Sequence, residues 1–160
     1  MREIATEAGV APGLIYHYFP GKEGLLHALF ERSAGLVMEA FVRVGHLEEP
    51  RERLAALLRV SAELVREHED FWRISYGVRY QHAVVAGLAE GIALQSQAWL
   101  GLFTALLTEL GSTDPATDAR LLFAAMDGLF QHYVLDSAHY PLDAVVERLV
   151  HQFAGPAKES

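Results

Sequence analysis

Tyr16, His17 and Tyr18 stand in a row on a short segment bounded by Pro12 and by Pro20-Gly21, and Lys22 follows just past the turn. Phenol and imidazole groups hydrogen-bond to phosphate oxygens and to base edges. A lysine in the first turn of a helix adds its charge to free backbone N–H groups that favour a phosphate. A short, outward-facing helix has little structural reason to display aromatics, so Tyr16 and His17 point to contact with nucleic acid, while Tyr18 reads equally as part of the core.

A second concentration of chemistry lies between residues 71 and 133. Phe71, Trp72, Tyr76 and Tyr80 are followed by Gln95, Trp99 and Phe103, and then by Phe123, Met126, Phe130 and Tyr133, all at helical spacing. Aromatic walls with a few polar groups are the usual form of a small-molecule cavity. The candidate lining is Trp72, Tyr76, Tyr80, Gln95, Trp99, Phe103, Met126 and Phe130. Tyr76, Tyr80, Gln95 and Trp99 stand out because each carries a polar atom that a dry core would have to satisfy. The same stripes are also the ordinary pattern of a helical core.

Catalytic chemistry finds no footing. The histidines (His17, His27, His46, His68, His82, His132, His139 and His151) are scattered, and none forms a metal-binding pair with a nearby carboxylate. The run Glu67-His68-Glu69-Asp70 reads as a solvated turn, because consecutive helical residues face different ways. Nucleophile elbows, phosphate loops and dinucleotide fingerprints are missing from the sequence. The expectation is a protein that is not an enzyme, with no cofactor and no metal.

The chain that must position these groups has 160 residues, 51% hydrophobic, with net charge −8 and no cysteine. That is enough apolar material for a sizeable core, and disorder is excluded over most of the length. No apolar run approaches the ~18–20 residues that span a bilayer, so no membrane contact is expected. A chain without disulfides fits a reducing compartment, and a cytoplasmic location is expected. Periodicity is helical nearly throughout, which predicts an all-α fold of eight helices: Arg2–Ala8, Pro12–Tyr18, Lys22–Val44, Pro50–His68, Phe71–Gln81, Val84–Leu110, Pro115–Asp136 and Pro141–Phe153. Asp114 is placed to cap the seventh and Pro115 to open it. Gly87, Gly91, Gly101 and Gly128 mark sites of close helix approach or of bending.

The eighth predicted helix carries an apolar stripe, Leu142, Val145, Val146, Leu149, Val150 and Phe153. The seventh is apolar nearly all round and must be covered on every side. A partner chain is the economical cover, so the expected homodimer interface is Leu122, Met126, Leu129, Tyr133, Leu142, Val145, Val146, Leu149 and Phe153.

The first two helices read as a helix-turn-helix. Ile4, Ala5, Ala8 and Val10 form a narrow apolar face, Gly9 permits a left-handed turn, and Leu14 and Ile15 point inward with Phe19 behind. Such an arrangement projects the second helix into a DNA major groove.

The stretch Arg2–Leu26, "REIATEAGVAPGLIYHYFPGKEGLL", resembles the DNA-binding signature of the tetracycline-repressor (TetR) family of bacterial transcriptional regulators. The resemblance implies an all-helical homodimer with a helix-turn-helix domain over residues 1–44 and a larger ligand-binding and dimerisation domain over residues 45–160. It implies double-stranded operator DNA as one partner and a small apolar or aromatic effector, which releases the DNA, as another. By position, Ala11–Tyr18 is then the recognition helix. Pro12, Gly13, Tyr16 and His17 would contact the groove, and Tyr18 and Lys22 the backbone.

The family places a further helix ahead of this motif, whereas Met1 lies inside it. Residues 1–44 hold Arg2, Lys22, Arg32 and Arg43 against Glu3, Glu7, Glu23, Glu31 and Glu39, which is no electrostatic footprint. The expectation is that these 160 residues alone bind operator weakly or not at all. The alternative is a dimeric small-molecule- or protein-binding module that does not read DNA.

Overall fold

The computed structural model of the protein describes residues 1–79 and 82–155, with the backbone alone for 82–89. Among these residues the helices are α1 (Arg2–Glu7), α2 (Pro12–Tyr18), α3 (Gly21–Val44), α4 (Pro50–Glu67), α5 (Glu69–Arg79), α6 (His82–Glu109), α7 (Pro115–Leu135) and α8 (Leu142–Phe153), and there is no strand. Every expected helix is present, with its ends within about two residues wherever they are described.

Local chemistry sets the boundaries. Pro12, Pro50 and Pro115 occupy first turns, where a missing N–H costs nothing. Asp114 accepts from the Thr117 backbone N–H at 3.2 Å, capping α7 as expected, and Glu49 accepts from Glu52 N–H at 2.8 Å to cap α4. Gly9 turns the chain between α1 and α2 with φ +66°, the left-handed conformation expected for it.

The core lies among α3 to α8. Helix α4 packs between α3 and α8, α6 pairs with α7, and α5 bridges to α7. Leu36, Leu54, Leu57, Leu58, Phe103, Leu106, Leu122 and Val134 are sealed within it. Helix α8 points its stripe at this core: Leu142, Val146 and Val150 are buried, while Val145, Leu149 and Phe153 pack at its edge. Two ion pairs clamp α8 to α4, Arg59–Glu147 at 2.6 Å and Arg66–Asp143 at 2.5 Å.

The expectation of a solvated turn over 67–70 fits Glu67 and Asp70, which are exposed, and is corrected at Glu69, which is tied down at the start of α5. The Glu69 carboxylate accepts from Ser137 Oγ at 2.7 Å and Tyr133 Oη at 3.3 Å, and pairs with Arg73. Arg73 Nε also donates to the Val134 carbonyl at 3.0 Å. The Ser137 bond, foremost, with Arg73 and Tyr133 behind it, holds the Glu69 carboxyl below its ordinary range.

Gly91 is a site of close approach: a Cβ there would stand 2.9 Å from the Phe30 ring on α3. Gly101 and Gly128 face open space in the single chain, so close packing within the subunit does not account for them. The side-chain surroundings of Gly87 lie outside the described residues.

Candidate functional site

Helices α1 and α2 pack on each other and touch the rest of the chain only sparsely. Ala5 and Ile15 are buried between them, but Ile4 and Leu14 are 41% and 47% exposed. The inward placement expected for Leu14 is therefore corrected: at this short crossing Ile15 alone fills the space beside Ala5. Ala11, Pro12, Gly13, His17 and Lys22 are exposed, and Tyr16 and Tyr18 are 53% and 68% exposed. The outer side of α2 is thus a polar-aromatic ridge open to solvent. The His17 and Tyr18 rings meet edge to face at 5.3 Å, which steadies both without burying either. Lys22 makes no ion pair among the described residues, whereas Arg43 is engaged by Glu39 at 2.7 Å and Glu67 at 3.4 Å.

A cavity open to solvent at its mouth lies where α3, α4, α5, α6 and α7 converge. Five of the helices contribute walls because each presents small or aromatic residues to the same point. Helix α3 supplies Ser33, Leu36, Val37 and Ala40, and α4 supplies Ser61, Leu64 and Val65. Helix α5 adds Trp72, Tyr76 and Arg79; α6 adds Gln95 and Trp99; α7 adds Phe123, Met126, Asp127 and Phe130. Trp72, Tyr76, Gln95, Trp99, Met126 and Phe130 are therefore brought together as the sequence suggests. Phe103 is not: it is sealed behind Trp99, stacked on it at 5.1 Å, and does not line the space. Tyr80 lies outside the described residues.

The polar equipment of the cavity is unusual for a core. Ser61 Oγ, Trp72 Nε1 and Gln95 Nε2 are buried with no hydrogen-bond partner among the described residues. Arg79 and Asp127 pair at 2.6 Å, and the Arg79 guanidinium lies 4.7 Å above the Tyr76 ring. Sequence reading missed Arg79, Asp127, Ser33 and Ser61. The first two sit on different helices with no local spacing to link them. Ser61, a hydroxyl inside the apolar stripe of α4, was the one detectable signal. A second cavity, lined by Leu26, Leu29, Phe30, Ser75, Val78, Ile92 and Ser96, shares Ser33, Arg79 and Gln95 with the first.

The apolar circumference of α7 is mostly used within the chain. Leu122, Met126, Leu129 and Tyr133, with Leu142 and Val146 of α8, are each less than a tenth exposed. They have almost no surface left for a partner, which corrects the interface expected at those positions; α5, α6 and α8 supply the cover. What α7 leaves open is a narrower stripe, Leu121, Ala124, Gly128 and Leu135, with Leu121 and Leu135 at 58% and 72% exposure. Val145, Leu149 and Phe153 keep part of their surface on α8.

A helical chain with a short two-helix head that carries an open aromatic ridge has the build of a helix-turn-helix regulator. Residues 1–29 match the family described as bacterial regulatory proteins, tetR family, and residues 49–156 match the tetracyclin repressor-like C-terminal domain. The chain belongs to the tetR family of bacterial regulatory proteins, and is a transcriptional regulator rather than an enzyme. It is 33% identical over 154 residues to the HTH-type transcriptional regulator BetI of Rhizobium meliloti (strain 1021), covering 91% of this chain and 73% of that protein. It is 44% identical over 62 residues to the BetI of Brucella anthropi, covering 37% of this chain and 31% of that one. Among solved structures it resembles the fatty acid degradation regulator FadR from Bacillus halodurans, with TM-score 0.72, 22% identity, and 97% and 87% of the two chains covered. A Clostridium perfringens putative fatty acid metabolism regulator gives TM-score 0.76 at 18% identity, over 99% and 89% of the chains. These two likenesses establish the fold. No helix among the described residues is long and apolar enough to cross a membrane.

Proposed function

We propose that the chain acts as a homodimeric repressor whose α2 helix reads a palindromic operator and whose cavity takes up a small effector that releases the DNA. The observation that carries this reading is the path of α3. Its first turn holds Lys22 next to α2, and farther along Ser33, Leu36, Val37 and Ala40 line the cavity. One continuous helix of 24 residues, about 36 Å long at 1.5 Å per residue, therefore touches both sites. Half-sites in a dimeric helix-turn-helix complex lie about 34 Å apart, so a tilt that moves each head by a few ångströms spoils one contact.

In this reading residues 1–44 form the DNA-binding unit and residues 45–160 the ligand-binding and dimerisation unit, with α3 as the lever between them. Ala11, Pro12, Gly13, Tyr16 and His17 meet the groove, and Tyr18 and Lys22 meet phosphates. The dimer forms through the open stripe of α7 and the adjoining edge of α8. The effector is small and apolar or aromatic, a reading supported by the aromatic and aliphatic walls of the cavity.

The test has two stages. Selection of bound duplexes from a random pool at low salt should enrich a palindrome. A compound that raises the melting temperature in a thermal-shift screen should then weaken binding to that palindrome. A compound that occupies the cavity and leaves operator affinity unchanged overturns the coupling. The excess of acidic over basic residues in 1–44 favours a second reading, a dimeric ligand- or protein-binding module that does not read DNA; enrichment of no sequence would select it.

A further inference from the structure

Three helices each bring to the same apolar space one lining residue that carries a buried polar atom with no hydrogen-bond partner among the described residues. Ser61 and Trp72 are themselves 7% and 8% exposed, and the free atoms are Ser61 Oγ on α4, Trp72 Nε1 on α5 and Gln95 Nε2 on α6. The indole N–H is a donor and nothing else, so only an acceptor can satisfy it. Leaving such groups buried and unpaired is costly, and a fold that tolerates three around one cavity has reserved them for something that enters.

The charges narrow the class of that visitor. Among the described lining residues the formal charges are Arg79 and Asp127, and they neutralise each other at 2.6 Å. A cationic ligand would meet an Asp127 already paired and a Tyr76 face already covered by the Arg79 guanidinium at 4.7 Å. An anionic ligand would need Arg79 freed, or would sit in an apolar space on neutral donors alone, where desolvation opposes it. A neutral ligand leaves the pair closed and loses nothing. Around the donors the walls are Trp99, Phe123, Phe130, Leu64 and Val65.

We infer that the cavity recognises an uncharged ligand with an aromatic or compact apolar body and carbonyl-type acceptor oxygens, the class of aromatic esters, ketones and lactones, held by Trp72, Gln95 and Ser61. This rests on the ligand-cavity reading above.

The chain contains two tryptophans, Trp72 and Trp99, so its ¹⁵N-edited proton spectrum carries two indole N–H signals, assignable with Trp72→Phe. Four probes of similar shape are titrated into the full chain, each to its solubility limit: methyl benzoate, propylbenzene, sodium benzoate and benzyltrimethylammonium. The expected result is a downfield shift of the Trp72 indole proton with methyl benzoate, and affinity about tenfold above that of propylbenzene, the effect of one neutral hydrogen bond. That preference, read as the ratio of ester to hydrocarbon affinity within each variant, should vanish in Trp72→Phe. Ser61→Ala supplies the same comparison should Trp72→Phe fail to fold. Equal binding of ester and hydrocarbon without an indole shift overturns the inferred class and leaves the cavity as a ligand site. Tightest binding of the anion or the cation overturns it in the same way. No response to any of the four overturns the inference and the cavity reading together.

Discussion

Arg79 on α5 and Asp127 on α7 hold each other at 2.6 Å across the wall of the cavity, 48 residues apart in sequence. Tyr76 is drawn into the same contact, with its hydroxyl 3.5 Å from Asp127 and its ring beneath the Arg79 guanidinium. The pair fastens α5 to α7 and keeps the lining neutral.

Asp127→Asn separates these two roles. Both side chains are about a third exposed, so the loss of stability should be modest, about 1 kcal/mol in urea unfolding. The uncompensated guanidinium should also give the cavity an affinity for benzoate that the parent protein lacks, measurable by calorimetry. Unchanged selectivity between benzoate and methyl benzoate would show that Arg79 does not govern the charge of the cavity.

Ser61→Ala tests whether the unpartnered hydroxyl burdens the empty protein. Removing a buried, unsatisfied polar atom from inside α4 should raise stability by about 1 kcal/mol, read from the urea midpoint at unchanged slope. A loss of stability would mean that the hydroxyl has a partner in solution.

The acid limb of stability should depend on Glu147 and Glu69. Paired hydrogen bonds from Arg59, at 2.6 and 2.7 Å, hold the Glu147 carboxyl below its ordinary range, and the Ser137 hydroxyl leads the effect at Glu69. A carboxyl depressed in the folded state contributes stability above its unfolded pKa and loses it as pH falls through the folded value. Glu147→Gln should therefore be less stable than the parent by about 0.5 kcal/mol at pH 7, a value discounted for solvent screening of an exposed pair, with the difference shrinking as pH falls below the ordinary carboxylate range. Glu69→Gln should follow the same sign. A difference that persists at the acid end would place the effect in packing rather than charge.

Lys22, exposed in the first turn of α3 next to α2, is placed for a phosphate, whereas Arg43 is already engaged by Glu39 and Glu67. Lys22→Ala should weaken binding to all duplex sequences alike. It should also flatten the dependence of log affinity on log salt by about 1 per protomer. Tyr16→Ala should instead relax sequence preference and leave the salt slope unchanged. Exchange of these two outcomes would reverse the assignment of groove and backbone contacts.

Leu121→Arg places a charge on the open stripe of α7. Because Leu121 is 58% exposed in the single chain, helix content should be unchanged, while sedimentation should show a shift from dimer to monomer. A dimer that survives this change and Leu135→Arg together is not built on α7.

Much of the molecule could be read from the chain itself. Apolar spacing, prolines at first turns and the Asp114 cap are local, within-helix facts, and they marked each helix to within about two residues wherever its end is described. The outward aromatics of α2 were legible for the same reason: a helix of seven residues has one side to bury, and Ile15 takes it. What covers a long apolar helix is a matter of neighbours distant in sequence. Only the packing decided that α7 spends Leu122, Met126, Leu129 and Tyr133 inside its own chain, leaving Leu121, Ala124, Gly128 and Leu135 outside. The cavity divides likewise. Its aromatics announced themselves by residue type, but the Arg79–Asp127 pair and the three unsatisfied atoms exist only because separate helices meet there, and no periodicity along one strand of sequence encodes a meeting between several.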